Sequence, residues 1–186
     1  MCIRDSSSPS FTADFLTEFL VNYRRHAFHV LHNYSAEGNH LLFEAQRMIY
    51  AGVFFPEFKE AVSWRESGIK ILNREIEKQV YEDGGQYELD LGYHAACIDI
   101  FQKALFMAES NGFHNEFPQS YIKTVENMIV FFLNLNFPDY TYPCFSDASR
   151  NNTWDRFRNW AKLFPDNKQI RYFATVSYTH LRAHET

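Results

Sequence analysis

The chain has 186 residues, 46% of them hydrophobic, with 18 Lys and Arg against 23 Asp and Glu for a net charge of −5. This acidic balance lacks the basic excess of a nucleic-acid-binding chain, and no apolar run reaches the roughly 18 residues of a membrane span. Three cysteines are too few for a disulfide framework or a zinc knuckle.

In chain order, the two ends read as foreign to the rest. "MCIRDS" (residues 1–6) matches a translated sequencing adapter, and "VSYTHLRAHET" (residues 176–186) matches the translated reverse complement of that adapter. We therefore expect residues 1–6 and 176–186 to be non-native, and residues 7–175 to be one helical domain cut from a longer reading frame. Net charge stays at −5 without the ends, because Arg4, Asp5, Arg182 and Glu185 leave as two opposite pairs. Cys2 leaves with them, and Cys97 and Cys144 are expected as buried thiols.

Between the ends, strand signals are scarce and helical periodicity recurs. "TADFLTEFLVNYRRHAFHVLHNY" carries Phe15, Leu16, Phe19, Leu20, Tyr23, Ala27, Val30 and Leu31, the stripe of an amphipathic helix. "AEGNHLLFEAQRMIYAG" gives a second helix ending near Gly52. "PEFKEAVSWRESGIKILNREIEKQVYED" gives a third, expected to start at Pro56, a good first-turn residue, and to stop at Gly84-Gly85. A fourth runs from about Tyr93 to Ser110, a fifth from Pro118 to about Asn136, and a last from about Trp154 to Leu163. "NFPDYTYPCFSDASRNN" is a long polar and aromatic loop. Six helices on mostly short connections predict an all-α fold of antiparallel helical hairpins. The 19 Phe and 11 Tyr mostly supply its core, and stacking platforms for a carbohydrate are their other use.

The polar residues that resist a core explanation sit at two breaks. "EGNH" (residues 37–40) precedes the second helix and "GGQYELDLGYH" (residues 84–94) precedes the fourth. Helix N-termini favour anions, so two such ends converging would suit a carboxylate or sulfate. Bland readings stand beside this one. Asn39 is also a good N-cap, and Tyr93 fits a half-buried core position. His40 and Glu44, four apart, fit a hydrogen-bonded pair, and His26, His29 and His32 drift around their helix instead of marking a metal face. No nucleophilic serine elbow, phosphate loop or zinc signature is present, and neither metal nor cofactor is expected.

"GNHLLFEAQRMIYAG", "DGGQYELDLGYHAACIDIFQKAL", "EFPQSYIKTVENMI", "FPDYTYPCFSD" and "WAKLFPDNKQIRYFAT" together resemble, in order and spacing, the N-terminal catalytic region of heparinase III-type polysaccharide lyases of the heparinase II/III superfamily. The resemblance implies an incomplete α/α toroid, with a C-terminal β-sandwich domain absent from this stretch, and a periplasmic or secreted bacterial enzyme. It implies an acidic polysaccharide as partner, heparan sulfate or a related glycosaminoglycan, and neither nucleic acid nor membrane. Alginate or another uronate polymer is the alternative substrate, and a non-catalytic glycan-binding domain the alternative class. The family's Asn-His-Leu asparagine falls on Asn39 and its catalytic tyrosine on Tyr93, with His40, Glu44, Gln86 and His94 as expected substrate-binding neighbours. A further catalytic histidine of the family lies outside this stretch. Where relatives often read Ser-Pro ahead of the tyrosine, this chain has Asp90-Leu91-Gly92.

The residue types suit β-elimination from a uronate. Removing the proton at C5, beside a carboxylate, builds a dianionic, enolate-like species. An amide donor such as Asn39 answers that charge, and preorganised donors are typically worth roughly 3–4 kcal/mol each. A phenol, with a reference pKa of about 10, acts as base toward C5 or acid toward the leaving oxygen once a neighbour eases its ionisation. Arg24, Arg25, Arg47, Arg65 and Arg74 are candidates to line a cleft despite the acidic total.

Overall fold

Helical periodicity is realised along most of the chain in the computed structural model, which describes residues 8–175; the expectations for residues 1–6 and 176–186 lie outside the described residues. The elements are α1 (Ala13–His32), α2 (Gly38–Phe54), α3 (Ala61–Gln79), α4 (Leu91–Ser110), α5 (Gln119–Leu135), α6 (Trp154–Leu163) and α7 (Lys168–Thr175), with a 3-10 turn at His114–Glu116. Strand-like pairing among the described residues is confined to an isolated bridge between Val80 and Gln86. The fold is all-α.

Two boundaries of the third helix and one whole helix differ from the sequence expectation. The third helix starts at Ala61, not Pro56, because successive turns fill the interval: the Phe58 N–H donates to Phe55 O and the Ala61 N–H to Phe58 O. Phe55 packs on Tyr23 with ring centroids 4.3 Å apart and Phe58 on Trp64 at 5.4 Å, so aromatic packing fixes this turn. The same helix ends at Gln79, short of Asp83. There the Tyr87 N–H donates to Gln79 O and the Tyr81 N–H to Gly85 O, closing a tight reversal. Gly84 makes it possible with φ +92°, and a Cβ there would meet Asn127 O at 2.5 Å. Finally, α7 was not foreseen. Its eight residues span too few turns for periodicity to register, yet Asn167 Oδ1 accepts the Ile170 N–H, and Ile170 and Ala174 are buried.

The chain forms two compact units divided between Ile71 and Leu72. In the first, Ala27, Met48, Ala51 and Trp64 form a core flanked by Tyr23, Val30, Leu31, Tyr34 and Phe58. Here α2 and α3 approach closely: a Cβ on Gly52 would lie 2.3 Å from Ala61 O, and one on Gly68 2.3 Å from Ala45 O. In the second unit, Phe132 packs against Tyr142, Phe157 and Trp160 with centroids 5.4, 6.0 and 5.8 Å away. The Trp160 indole N–H donates to Asp99 Oδ1 at 2.9 Å, satisfying the buried polar end of that ring.

Candidate active site

The start of α4 is built by Asp90. Its backbone is extended (φ −104°, ψ 123°) and its Oδ1 accepts the Tyr93 N–H at 2.9 Å, so it is the N-cap. Asp90, the first residue of the Asp90-Leu91-Gly92 stretch, thus supplies the cap of α4. Asp90 is 2% exposed and its second oxygen, Oδ2, is buried with no hydrogen-bond partner. The signal for this capping role in the sequence is an Asx residue directly ahead of an apolar run. Tyr93 sits in the first helical turn with 41% of its surface exposed.

His94, expected at the substrate, is placed differently. It is 1% exposed, and its ring lies between Phe131 and Phe132 at 5.3 and 5.6 Å. Nδ1 accepts the Gln86 backbone N–H at 3.2 Å, which leaves Nε2 to carry the proton and donate to Met128 O at 3.0 Å. Burial pushes the imidazole down to about 4, so a neutral ring ties the loop, α4 and α5 together. With both nitrogens engaged inside the protein, His94 frames Tyr93 and presents neither nitrogen to a ligand. Gln86 is also turned inward: its Nε2 donates to Glu88 Oε1 at 3.2 Å and its Oε1 accepts the Glu88 N–H at 3.1 Å. Gln86 and His94 are therefore brought together, by the Gln86 N–H to His94 Nδ1 bond, as internal scaffold at the start of α4.

In the other unit, α2 begins at Gly38, whose φ of +74° turns the chain into the helix. Glu37, not Asn39, occupies the cap position, and its side chain makes no capping bond. The cap reading of Asn39 is thereby replaced: it lies within the first turn, half-buried, with His40 exposed beside it. The His40–Glu44 pair does not form. Glu44 turns to the preceding loop instead, its Oε2 accepting the Ser35 N–H at 2.7 Å and its Oε1 the Ser35 hydroxyl at 2.9 Å. Asn39, His40 and Glu44 thus belong to the first unit, and Gln86, Tyr93 and His94 to the second.

Of the arginines considered as cleft residues, Arg24 pairs with Glu60, Arg74 pairs with Glu75 at 2.7 Å, and Arg47 lies over the Tyr50 ring at 5.5 Å. Cys97 is a buried thiol pushed up to about 12 by burial. Cys144, expected inside, is exposed on the long loop.

That loop was not expected at the site. A Cβ on Gly92 would lie 3.8 Å from Ala148 Cα, so the loop passes directly beside the residue preceding Tyr93.

A family model described as the heparinase II/III N-terminus matches residues 5–172. The chain is 66% identical over 171 residues to a heparin-sulfate lyase of Bacteroides stercoris, covering 90% of this chain and 26% of that one. It is 50% identical over 172 residues to a heparin-sulfate lyase of Pedobacter heparinus, covering 91% and 26%. Among solved structures, a heparinase III superposes with a TM-score of 0.83 at 65% identity, covering 91% of this chain and 27% of that one. Heparan sulfate lyase HepC of Pedobacter heparinus superposes with 0.78 at 49% identity, covering 92% and 27%. The chain spans about a quarter of the length of these relatives. With the match running through both helix starts that carry Asn39 and Tyr93, the chain belongs to the heparinase II/III N-terminus family.

Proposed function

We propose that this chain supplies the N-terminal part of a lyase that cleaves heparan sulfate, or a closely related uronic-acid glycosaminoglycan, by β-elimination, and that Asn39 and Tyr93 are its catalytic residues. The observation that carries the reading is the setting of Tyr93: an exposed phenol in the first turn of α4, beside a buried cap and a buried neutral imidazole whose hydrogen bonds are internal. A reactive group on so fixed a frame is preorganised. The names of the relatives give the substrate class.

In this reading the Asn39 amide donates to the uronate carboxylate and absorbs the charge that develops on it, with the exposed His40 as a second donor. Tyr93 takes the C5 proton as phenolate, or delivers a proton to the departing C4-linked oxygen. The C5–H and C4–O bonds break, a C4–C5 double bond forms, and the leaving oxygen becomes a hydroxyl. Gln86 and His94 act from behind by holding the start of α4, and Glu44 by holding the loop ahead of α2. The remaining three quarters of the length seen in relatives contributes the further catalytic histidine and the rest of the cleft.

The test is ultraviolet absorbance of the unsaturated uronate formed from heparan sulfate by the longer enzyme. Asn39→Ala and Tyr93→Phe should each remove turnover by roughly two orders of magnitude or more while binding persists. Unchanged turnover in either variant refutes that residue's assignment, and product from alginate alone moves the substrate to the other uronate polymer.

A further inference from the structure

The loop at residues 136–153 has no regular element of its own, and loops of that length are uncommon inside a compact unit, being as a rule either functional or linker segments. Its roots are firmly held. The buried Tyr140 donates its hydroxyl proton to Phe173 O at 2.8 Å, Tyr142 packs on Phe132, and the Thr153 hydroxyl makes contacts at 2.8 Å with both Tyr140 O and Asn136 Oδ1. Its tip is a tight turn closed by the Ala148 N–H donating to Phe145 O at 3.1 Å. That turn lies against Gly92: a Cβ there would be 3.8 Å from Ala148 Cα and 3.0 Å from Asp90 Oδ1, so glycine lets the loop and the cap share the space.

Two features of the tip are not explained by packing. Ser146 holds φ +56°, a left-handed conformation unusual for a residue with a side chain, and such backbone tends to cluster at functional sites. Phe145 is 61% exposed, although the same loop buries Tyr140 and Tyr142. Phe137 at the root of the loop is also exposed, at 49%, and Phe145 is the exposed aromatic of the turn that lies beside Gly92, the residue preceding Tyr93.

We propose that the Phe145–Ala148 turn is a rim of the Tyr93 site and that the Phe145 ring is a stacking platform for one sugar ring of the polysaccharide chain. The proposal rests on the reading of Tyr93 as a catalytic residue. An aromatic face offers apolar area and a negative quadrupole to the axial C–H groups of a pyranose. The carboxylate and sulfate groups project from the sugar's edge and keep their hydration, so the contact suits a polyanion without a cationic partner. Phe145 is then a binding residue that fixes where the chain lies relative to Tyr93.

Steady-state kinetics of the longer enzyme on heparan sulfate test this, with Phe145→Ala, Phe145→Trp and Tyr93→Phe assayed in parallel and their melting temperatures compared. Phe145→Ala should raise KM roughly three- to tenfold with kcat within about twofold, and Phe145→Trp should restore KM. An unchanged KM in Phe145→Ala overturns the proposal. So does a lowered melting temperature with kcat and KM lost together and no rescue by Trp, because the ring is then covered by another part of the chain. Full turnover in Tyr93→Phe defeats the catalytic reading itself, a result distinct from any reading of Phe145.

Discussion

His94 and Gln86 meet through one hydrogen bond, from the Gln86 backbone N–H to the His94 Nδ1 at 3.2 Å, and that bond requires an unprotonated nitrogen. On the opposite side of the ring, Nε2–H donates to Met128 O. Protonating Nδ1 therefore sets one N–H against another in a buried place.

The pH dependence follows from that pair. The folded imidazole titrates at about 4, below the unfolded reference of about 6.5, so the unfolded state binds more protons between these values. The contribution of His94 is fully present above about 6.5, is lost as pH falls toward about 4, and declines no further below it. Its full size is on the order of 3 kcal/mol. Thermal unfolding followed by circular dichroism from pH 7 to pH 4 should show the loss, and His94→Gln should flatten the profile within that window. An equally steep profile in His94→Gln assigns the titration to other groups.

Asp90 contributes as a cap and not through its full carboxylate. Asp90→Ala removes the acceptor of the Tyr93 N–H and should destabilise by about 0.5–2 kcal/mol. Asp90→Ser keeps an acceptor for that N–H and removes the unpartnered Oδ2, so it should be neutral or stabilising. Urea unfolding of the two variants separates these cases; equal losses would show that the charge itself matters.

Gly84 and Gly112 both have positive φ, +92° and +80°, but differ in surroundings. A Cβ at Gly84 meets Asn127 O at 2.5 Å, whereas one at Gly112 meets nothing within 4 Å. Gly112→Ala should cost only the conformational term, about 1–2 kcal/mol. Gly84→Ala should add overpacking of about 1–3 kcal/mol. Matching melting temperatures in the two variants contradict the close approach.

Glu44 is predicted to act on stability through Ser35. Glu44→Ala removes the acceptor of both the Ser35 N–H and its hydroxyl and should cost about 1.5–3 kcal/mol, the range for a hydrogen bond to a charged group. Amide hydrogen exchange at Ser35 should rise with it. Unaltered exchange there would mean that the loop ahead of α2 is held by other contacts.

The helices were legible because burial imposes a period. Leu41, Leu42, Ala45, Met48, Ile49 and Ala51 fall on one side of α2 and all are buried. Breaks at Gly38 and Gly84 were also legible, since positive φ favours glycine. The placing of polar side chains at the two helix starts was legible too: Tyr93 is exposed where an apolar helix begins. His94 was not, because a histidine that ties three segments together and one that meets substrate look alike in sequence. Only the positions of the Gln86 N–H and Met128 O distinguish them, and these arise from segments eight and 34 residues away.

Composition and periodicity by themselves thus determined an acidic, all-α chain in which the polar residues that a core does not explain fall at two helix starts, because these depend on neighbours within a few turns. Tertiary structure decided that Asp90 caps α4, that His94 stays neutral inside the second unit, that Glu44 serves Ser35, and that the Phe145–Ala148 turn lies beside Gly92. Each is a hydrogen bond or close approach whose partner is chosen by how the helices and loops pack, and local sequence alone does not specify that choice.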